Sequence, residues 1–123
     1  TDYLIVAIPG GKETYHLVDA EVLKALGPEG TLVNVGRGSN IDHGELARAL
    51  QDGTLGAAAL DVVSGEPEVP PELLAIDENL VLQPHHASGT FDTRRAMVEL
   101  AFANVEAFFT GDPLLTPVPE CGL

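Results

Sequence analysis

The sequence has 123 residues, the size of one domain, and 45% of them are apolar, which is enough for a packed core. Nineteen acidic and six basic side chains give a net charge of −13, which repels nucleic acid and anionic lipid, so we expect neither as a partner. The single cysteine, Cys121, excludes a disulfide framework within one chain, and no apolar run has the length of a membrane span. These features favour a reducing, cytoplasmic location.

Four short apolar segments predict four β-strands. Each segment is continuously apolar rather than alternating, which is typical of strands that are covered on both faces of a sheet. The segments span residues 3–8, 31–35, 55–63 (centred on 57–60) and 80–83.

Helical patterns follow the first two of these segments. Asp19 can cap a helix that Gly27 would stop. Asp42 with Glu45 three residues later resembles a capping box, and the helix it opens would end near Gly53.

The second half of the chain has a different pattern. Residues 64–71 contain three prolines and one glycine, which predicts a loop, and residues 90–111 predict a long helix. The resulting order, β-α-β-α-β-loop-β-α, predicts an α/β fold with a parallel sheet. Ligands bind such sheets beyond the carboxyl ends of the strands, so functional residues are expected there.

Three chemically active side chains follow three successive strands of the predicted sheet. Arg37 follows the second strand, Glu66 the third and His85 the fourth. This set suits the reduction of a 2-oxo acid. A guanidinium binds a carboxylate through two parallel hydrogen bonds, and an imidazole can protonate the alkoxide that forms at C2. A carboxylate hydrogen-bonded to the other ring nitrogen would orient that imidazole.

Each of these residues also has an ordinary structural interpretation. Arg37 could pair with a surface acid, Glu66 could belong to an unremarkable loop, and His85 could simply enter a helix. Their occurrence together, at three strand ends, favours the catalytic interpretation.

Motifs around these residues carry a family resemblance that covers almost the whole chain. The sequence resembles the D-isomer-specific 2-hydroxyacid dehydrogenases. The matching motifs are Asn34-Val35-Gly36-Arg37-Gly38, Ile41-Asp42, Glu45-Leu46, Leu60-Asp61-Val62, Glu66-Pro67 and Pro84-His85 with Thr90. Finer features are similar to the glyoxylate, hydroxypyruvate and hydroxyphenylpyruvate reductase branch. They are Pro9-Gly10-Gly11 with Thr14, Glu68-Val69-Pro70, Ser88-Gly89-Thr90 with Thr93-Arg94, and Pro113-Leu114-Leu115-Thr116-Pro117-Val118.

The resemblance implies a fold, a cofactor and a role for each site residue. The fold would be the second half of a Rossmann-like doubly wound parallel sheet with flanking helices. Arg37 would bind the substrate carboxylate, His85 would be the acid/base, and Glu66 would support it. The residues expected to contact the cofactor are Pro9, Val35, Gly36, Arg37, Asp61, His85 and Ala87. The family implies NAD(P), with NADPH favoured, a small 2-oxo or 2-hydroxy acid as substrate and a homodimer, with no metal.

The sequence departs from the family pattern in several places. It contains no G-x-G-x-x-G, the glycine-rich loop that binds the dinucleotide pyrophosphate. We therefore interpret residues 1–123 as a partial coenzyme domain that is inactive alone, without the substrate domain and with a tail over 112–123. His86 stands where the family has an apolar residue and is the alternative acid. Asn40 and His43 are interpreted as surface variation.

Two other classes of function remain open. One is a small binding domain that holds an acidic metabolite through Arg37 without chemistry. The other is an interaction module, similar to the corepressors related to these dehydrogenases. Neither needs both Glu66 and His85, and their presence favours the enzyme.

Overall fold

The computed structural model describes residues 1–118. The chain divides into two compact units, Thr1–His86 and Ala87–Leu123. Cys121 and the last five residues of the predicted tail lie outside the described residues.

Residues 1–118 contain one sheet of four parallel strands. The strands are β1 (Tyr3–Val6), β2 (Thr31–Asn34), β3 (Ala57–Leu60) and β4 (Leu80–Leu82), and they lie side by side in chain order. Each strand is shorter than the apolar segment that predicted it, because the flanking apolar residues belong to the connecting loops. The predicted α/β fold with a parallel sheet is confirmed.

Four helices accompany the described strands. They are α1 (Ala20–Leu26), α2 (His43–Gln51), α3 (Pro71–Leu74) and α4 (Phe91–Thr110), and a single 3-10 turn spans Gly38–Asn40. Helices α1 and α2 pack against each other, and so do α2 and α3.

Local hydrogen bonds explain where the first two helices begin. The side chain of Asp19 accepts bonds from the backbone N–H groups of Glu21 and Val22 at 3.0 and 3.1 Å. Asp42 likewise accepts from the N–H of Glu45 at 3.1 Å, so both predicted caps are confirmed. The return bond of the predicted capping box is replaced, because the Asp42 N–H donates to the Val18 carbonyl at 3.1 Å and the Glu45 carboxylate pairs with Arg48.

The segment between β3 and β4 was predicted as a loop and contains the short helix α3. Pro71 occupies its first turn, where a missing N–H costs nothing and the fixed φ favours a helix. Leu73 is fully buried and joins the main apolar cluster. The prolines that suggested a loop therefore also start a helix.

The sheet has one covered face. On that face lies a row formed by Leu4, Leu32, Ala58 and Leu80, one residue from each strand in register, and its members belong to the core or pack against it. On the opposite face, Ile5 and Val81 are 64% and 54% exposed. The prediction of two covered faces is thus wrong for the described residues. Strands in simple sequential order, joined by right-handed crossovers, carry their connections on the same face.

Helix α4 matches its predicted bounds. Thr90 caps its start, accepting a bond from the N–H of Thr93 at 3.2 Å, and Gly111 ends it in the left-handed conformation with φ of 80°. Large apolar side chains of this helix are solvent-exposed, with Phe102 and Phe109 at 71% and 82% exposure. None of the described helices combines the length and hydropathy that a membrane crossing requires.

Candidate active site

The structure brings the three predicted catalytic side chains to one cleft at the carboxyl edge of the sheet. Arg37 lies just beyond β2, His85 just beyond β4, and Glu66 in the loop after β3. All three line an open cleft of about 600 Å³, which Gly10 and Tyr15 also line. Parallel strands end at the same edge, which is why residues far apart in sequence meet here.

His85 and Glu66 form a hydrogen-bonded pair in this cleft. The His85 Nδ1 lies 2.7 Å from the Glu66 Oε2, and the Glu66 Oε1 accepts the backbone N–H of Val63 at 2.9 Å. The hydrogen bond from His85 lowers the pKa of the Glu66 carboxyl, aided by the bond from Val63 and opposed by desolvation. An ionised Glu66 favours a proton on Nδ1 and leaves Nε2 as the nitrogen that can exchange a proton with a ligand.

The backbone at His85 has an unusual conformation. Its φ is 53°, in the left-handed region that few residues other than glycine adopt. Three hydrogen bonds hold the turn. The N–H groups of His85 and His86 donate to the carbonyl and the Oδ1 of Asp61, at 2.8 and 2.6 Å. The N–H of Gln83 donates to the Leu60 carbonyl at 2.8 Å. Such conformations persist where surrounding structure imposes them, and they are concentrated at functional sites. Asp61, predicted to hold the cofactor, thus also shapes the turn that presents His85.

A buried asparagine holds the loop that carries Arg37. The Asn34 side chain accepts the N–H of Gly36 at 2.9 Å and donates to the Arg37 carbonyl at 3.0 Å. Gly36 is required here, because a Cβ would lie 2.5 Å from the Ile8 carbonyl oxygen. The Arg37 side chain is exposed and its Nη1 donates to the Gly36 carbonyl at 2.7 Å.

A second asparagine, Asn40, holds the same loop from the other side, and the prediction that it is surface variation is wrong. It is fully buried, and its Oδ1 accepts the N–H of Arg37 at 2.8 Å. Its Nδ2 donates to the carbonyls of Pro9 and Thr14 at 3.2 and 3.3 Å. The sequence contained a signal for the bond to Arg37, because an asparagine side chain often bonds to the backbone of a residue a few positions away. Its long-range contacts with residues 9 and 14 were not visible from spacing.

His43 was assigned to the surface by the same reasoning and is also buried. Its residue exposure is 7%, and its Nε2 has no hydrogen-bond partner among the described residues. Desolvation lowers the pKa of this imidazole, opposed by the charge of Glu72, with smaller effects from His16 and Asp42. His43 begins α2, so its ring packs inward with the apolar face of that helix.

Comparison with known proteins places this geometry in a family. The sequence profile described as D-isomer specific 2-hydroxyacid dehydrogenase, NAD binding domain, matches residues 1–87. The chain belongs to this family. The predicted family membership is therefore confirmed. A cleft at the carboxyl edge of a parallel sheet is where dinucleotide-binding domains bind their ligands.

The chain is similar to reductases of this dehydrogenase family. It is 52% identical to a hydroxyphenylpyruvate reductase of Plectranthus scutellarioides over 118 residues, which cover 96% of this chain and 37% of that protein. A glyoxylate/hydroxypyruvate reductase A of Arabidopsis thaliana shows the same identity and coverage. The chain thus spans little more than a third of the length of these curated relatives.

Solved structures of dehydrogenases share the fold. An NADPH-dependent glyoxylate/hydroxypyruvate reductase from Sinorhizobium meliloti, in complex with NADP and malonate, matches with a TM-score of 0.89 and 50% identity over 97% of this chain and 37% of that one. A holo D-mandelate dehydrogenase from Rhodotorula graminis matches with a TM-score of 0.87 and 34% identity, over 97% and 34% of the two chains.

The remaining residues predicted to contact the dehydrogenase cofactor lie at several strand ends. Pro9 and Val35 are exposed just beyond β1 and β2, Gly36 is buried beside Val35, and Asp61 is buried directly after β3. Ala87 begins the second unit. Among residues 1–118, no group of three or more His, Cys, Asp or Glu side chains is arranged to hold a metal ion.

Proposed function

We propose that this chain supplies the nicotinamide-side half of the coenzyme site and the acid/base pair of an NAD(P)-dependent oxidoreductase that reduces a small 2-oxo acid to the D-2-hydroxy acid. The observation that carries the proposal is that Arg37 and the hydrogen-bonded His85–Glu66 pair line one cleft. A binding module would have no need of an imidazole whose ring orientation is held by an ionised carboxylate.

The roles of the three side chains follow from charge and geometry. The Arg37 guanidinium is always charged and can bind the substrate carboxylate through two parallel hydrogen bonds. The His85 Nε2 donates a proton to the C2 oxygen as negative charge develops there. Glu66 stays ionised, because its pKa is lowered, and it stabilises the charged imidazole while holding the ring.

The proposed cofactor is NAD(P), with NADPH favoured. When bound, it supplies the hydride that reaches C2 of the substrate. Pro9, Val35, Gly36, Asp61 and Ala87 would hold its nicotinamide end, beside Arg37 and His85. The preference for NADPH is supported by the Sinorhizobium reductase, whose crystal contained NADP. The pyrophosphate would bind outside this chain, whose sequence has no glycine-rich dinucleotide loop.

The proposed substrates are glyoxylate, hydroxypyruvate and related 2-oxo acids. Support comes from the relatives, which are named for glyoxylate, hydroxypyruvate and hydroxyphenylpyruvate. The malonate in the Sinorhizobium complex is a small carboxylate, of the kind Arg37 would bind. An open cleft leaves room for a side chain beyond the 2-oxo acid group.

We further propose that residues 1–123 form part of a coenzyme domain, with residues 112–123 as its tail, in a cytoplasmic homodimer. The chain spans about 37% of its curated relatives, which supports a contribution from sequence outside it. The charge of −13 supports the absence of nucleic acid and anionic membrane partners. The exposed apolar residues of α4 support association between copies.

The decisive experiment measures NAD(P)H oxidation by a full-length protein that carries this chain, with glyoxylate, hydroxypyruvate and hydroxyphenylpyruvate as substrates. Turnover that depends on a 2-oxo acid is expected. Tight binding of these acids with no oxidation of either nucleotide would favour the binding module, and no binding at all would favour the interaction module. The isolated 123 residues are expected to lack activity and to bind NAD(P)H only feebly, so micromolar affinity there would contradict the proposed division of the coenzyme site.

A further inference from the structure

We infer that Asn40 is a positioning residue for Arg37, because it holds both the backbone of Arg37 and the loop against which the Arg37 side chain packs. The inference rests on the proposed function, because the position of Arg37 matters only if that residue binds substrate. Asn40 lies at the end of the 3-10 turn that follows Arg37 and does not itself line the cleft.

The main chain of Arg37 is held at both of its polar groups by buried amide side chains. Its N–H donates to the Asn40 Oδ1 at 2.8 Å, and its carbonyl accepts from the Asn34 Nδ2 at 3.0 Å. Both asparagines are fully buried. Because a buried hydrogen bond fixes distance and direction together, these two bonds leave the backbone of Arg37 little freedom.

Asn40 also connects Arg37 to a neighbouring loop that lines the cleft. Its Nδ2 donates to the carbonyls of Pro9 and Thr14, at the two ends of the loop that contains Gly10 and Gly11. We call residues 9–14 the glycine loop. The Thr14 hydroxyl closes this loop by donating to the Pro9 carbonyl at 2.9 Å.

The glycine loop packs directly on the stem of Arg37. A Cβ at Gly10 would lie 3.1 Å from the Cγ of Arg37 and 3.2 Å from its Cβ. The glycine loop therefore limits how far the Arg37 side chain can turn toward Gly10. One amide group, on Asn40, holds both the backbone of Arg37 and the loop that limits its side chain.

Loss of this connection should act on substrate binding more than on cofactor binding. A bidentate bond between a guanidinium and a carboxylate tolerates little displacement, and a shift near 1 Å can cost about 100-fold in rate. In Asn40→Ala, we expect KM for the 2-oxo acid to rise ~10- to 100-fold and the Kd for NAD(P)H to rise by a smaller factor, because only Pro9 and Arg37 of the proposed cofactor contacts bond to Asn40.

Asn79 offers a matched control. Its Nδ2 also donates to two backbone carbonyls, those of Leu50 and Gly56, at 3.2 and 3.1 Å. It lies just before β4, at the opposite edge of the sheet from the cleft. Asn79→Ala should lose comparable hydrogen bonds and leave KM and kcat near the wild-type values.

The test uses a full-length protein that carries this chain and compares wild type, Asn40→Ala, Asn79→Ala, Arg37→Lys and the Asn40→Ala/Arg37→Lys double variant. If wild type does not reduce any 2-oxo acid, the proposed function fails and the inference fails with it. If wild type is active, the inference requires Asn40→Ala to raise KM when Asn79→Ala does not. In the Arg37→Lys background, Asn40→Ala should then change KM less than about threefold, because the planar guanidinium that Asn40 positions is absent.

Hydrogen exchange supplies a readout that does not depend on activity. The Arg37 amide should exchange faster in Asn40→Ala than in Asn79→Ala, because only the former removes its acceptor. Equal KM values or equal Arg37 exchange in the two variants would overturn the inference. If Asn40→Ala fails to fold, Asn40→Ser, which retains a side-chain oxygen, takes its place. Failure of both to fold while Asn79→Ala folds would make Asn40 a stability residue and would also overturn the inference.

Discussion

The imidazole of His85 and the carboxylate of Glu66 meet at 2.7 Å although the two residues lie 19 positions apart in the chain. Glu66 is held from its other oxygen by the N–H of Val63, and His85 by a backbone turn anchored on Asp61. Both members of the pair are therefore held by hydrogen bonds to the segment that follows β3. Such prior placement reduces the reorganisation that proton transfer requires.

His85→Ala is expected to reduce turnover of a 2-oxo acid by ~10²- to 10⁴-fold, the usual contribution of general acid catalysis. The matched control is the neighbouring His86→Ala, because the structure fixes His86 through its backbone N–H, which alanine retains. Steady-state kinetics of both variants in a full-length protein decide the matter. Should His86→Ala instead show the large loss, the acid would be His86.

Arg37→Lys keeps the positive charge and loses the planar fork. We expect a fall in kcat/KM of at least ~10-fold with little change in the affinity for NAD(P)H, because the guanidinium would contact the substrate carboxylate. Arg48→Lys is a suitable control, since Arg48 also pairs with a carboxylate, Glu45, but lies on the exposed side of α2. A near-normal kcat/KM in Arg37→Lys would show that Arg37 does not bind the substrate carboxylate.

The stability of the Thr1–His86 unit should depend on the protonation of His43. Burial lowers the pKa of this imidazole below its usual 6.5, while Glu72 and Asp42 oppose the shift and His16 reinforces it. The unfolded chain therefore binds a proton at a higher pH than the folded one. The stability associated with the neutral ring is complete above about pH 6.5 and decreases as the pH falls from 6.5 through the lowered value in the folded state.

His43→Gln should flatten this part of the stability profile, because glutamine does not titrate. Urea unfolding between pH 7.5 and 5 measures the effect, with His16→Gln as the control, since His16 is partly exposed beside Asp42. An unchanged pH dependence in His43→Gln would show that the buried ring does not control acid stability.

The exposed apolar residues of α4 predict self-association of the chain. Phe102, Val105 and Phe109 are 71%, 54% and 82% exposed, and large exposed apolar patches on soluble proteins usually mark interaction sites. Light scattering at low micromolar concentration should give a mass above 12.9 kDa. Phe102→Ser with Phe109→Ser should restore the monomer mass, whereas Phe91→Ser, at the start of the same helix, should not. A wild-type chain that stays monomeric would contradict the prediction.

Much of this protein follows from short-range sequence signals. Asp19, Asp42 and Thr90 each cap the helix that the pattern predicted, because an N-cap depends only on a side chain and the next few N–H groups. The parallel order of the strands follows from the alternation of strand and helix, since each crossover has one favoured hand. That order alone was enough to predict that Arg37, Glu66 and His85 would meet at one edge.

Only the tertiary structure decided which polar residues are buried and which sheet face is covered. Asn40 looks like a surface residue in the sequence, because its burial depends on hydrogen bonds to Pro9 and Thr14, which lie 31 and 26 positions earlier in the chain. His43 is buried with the apolar face of α2, although its Nε2 has no hydrogen-bond partner among the described residues. The continuous apolar strands indicated two covered faces, yet the helices of the first unit cover one. The hydropathy of a strand shows that both of its faces are apolar, but it does not show which element packs on each face. The left-handed turn at His85 likewise arises from hydrogen bonds to Asp61, which join the ends of two different strands.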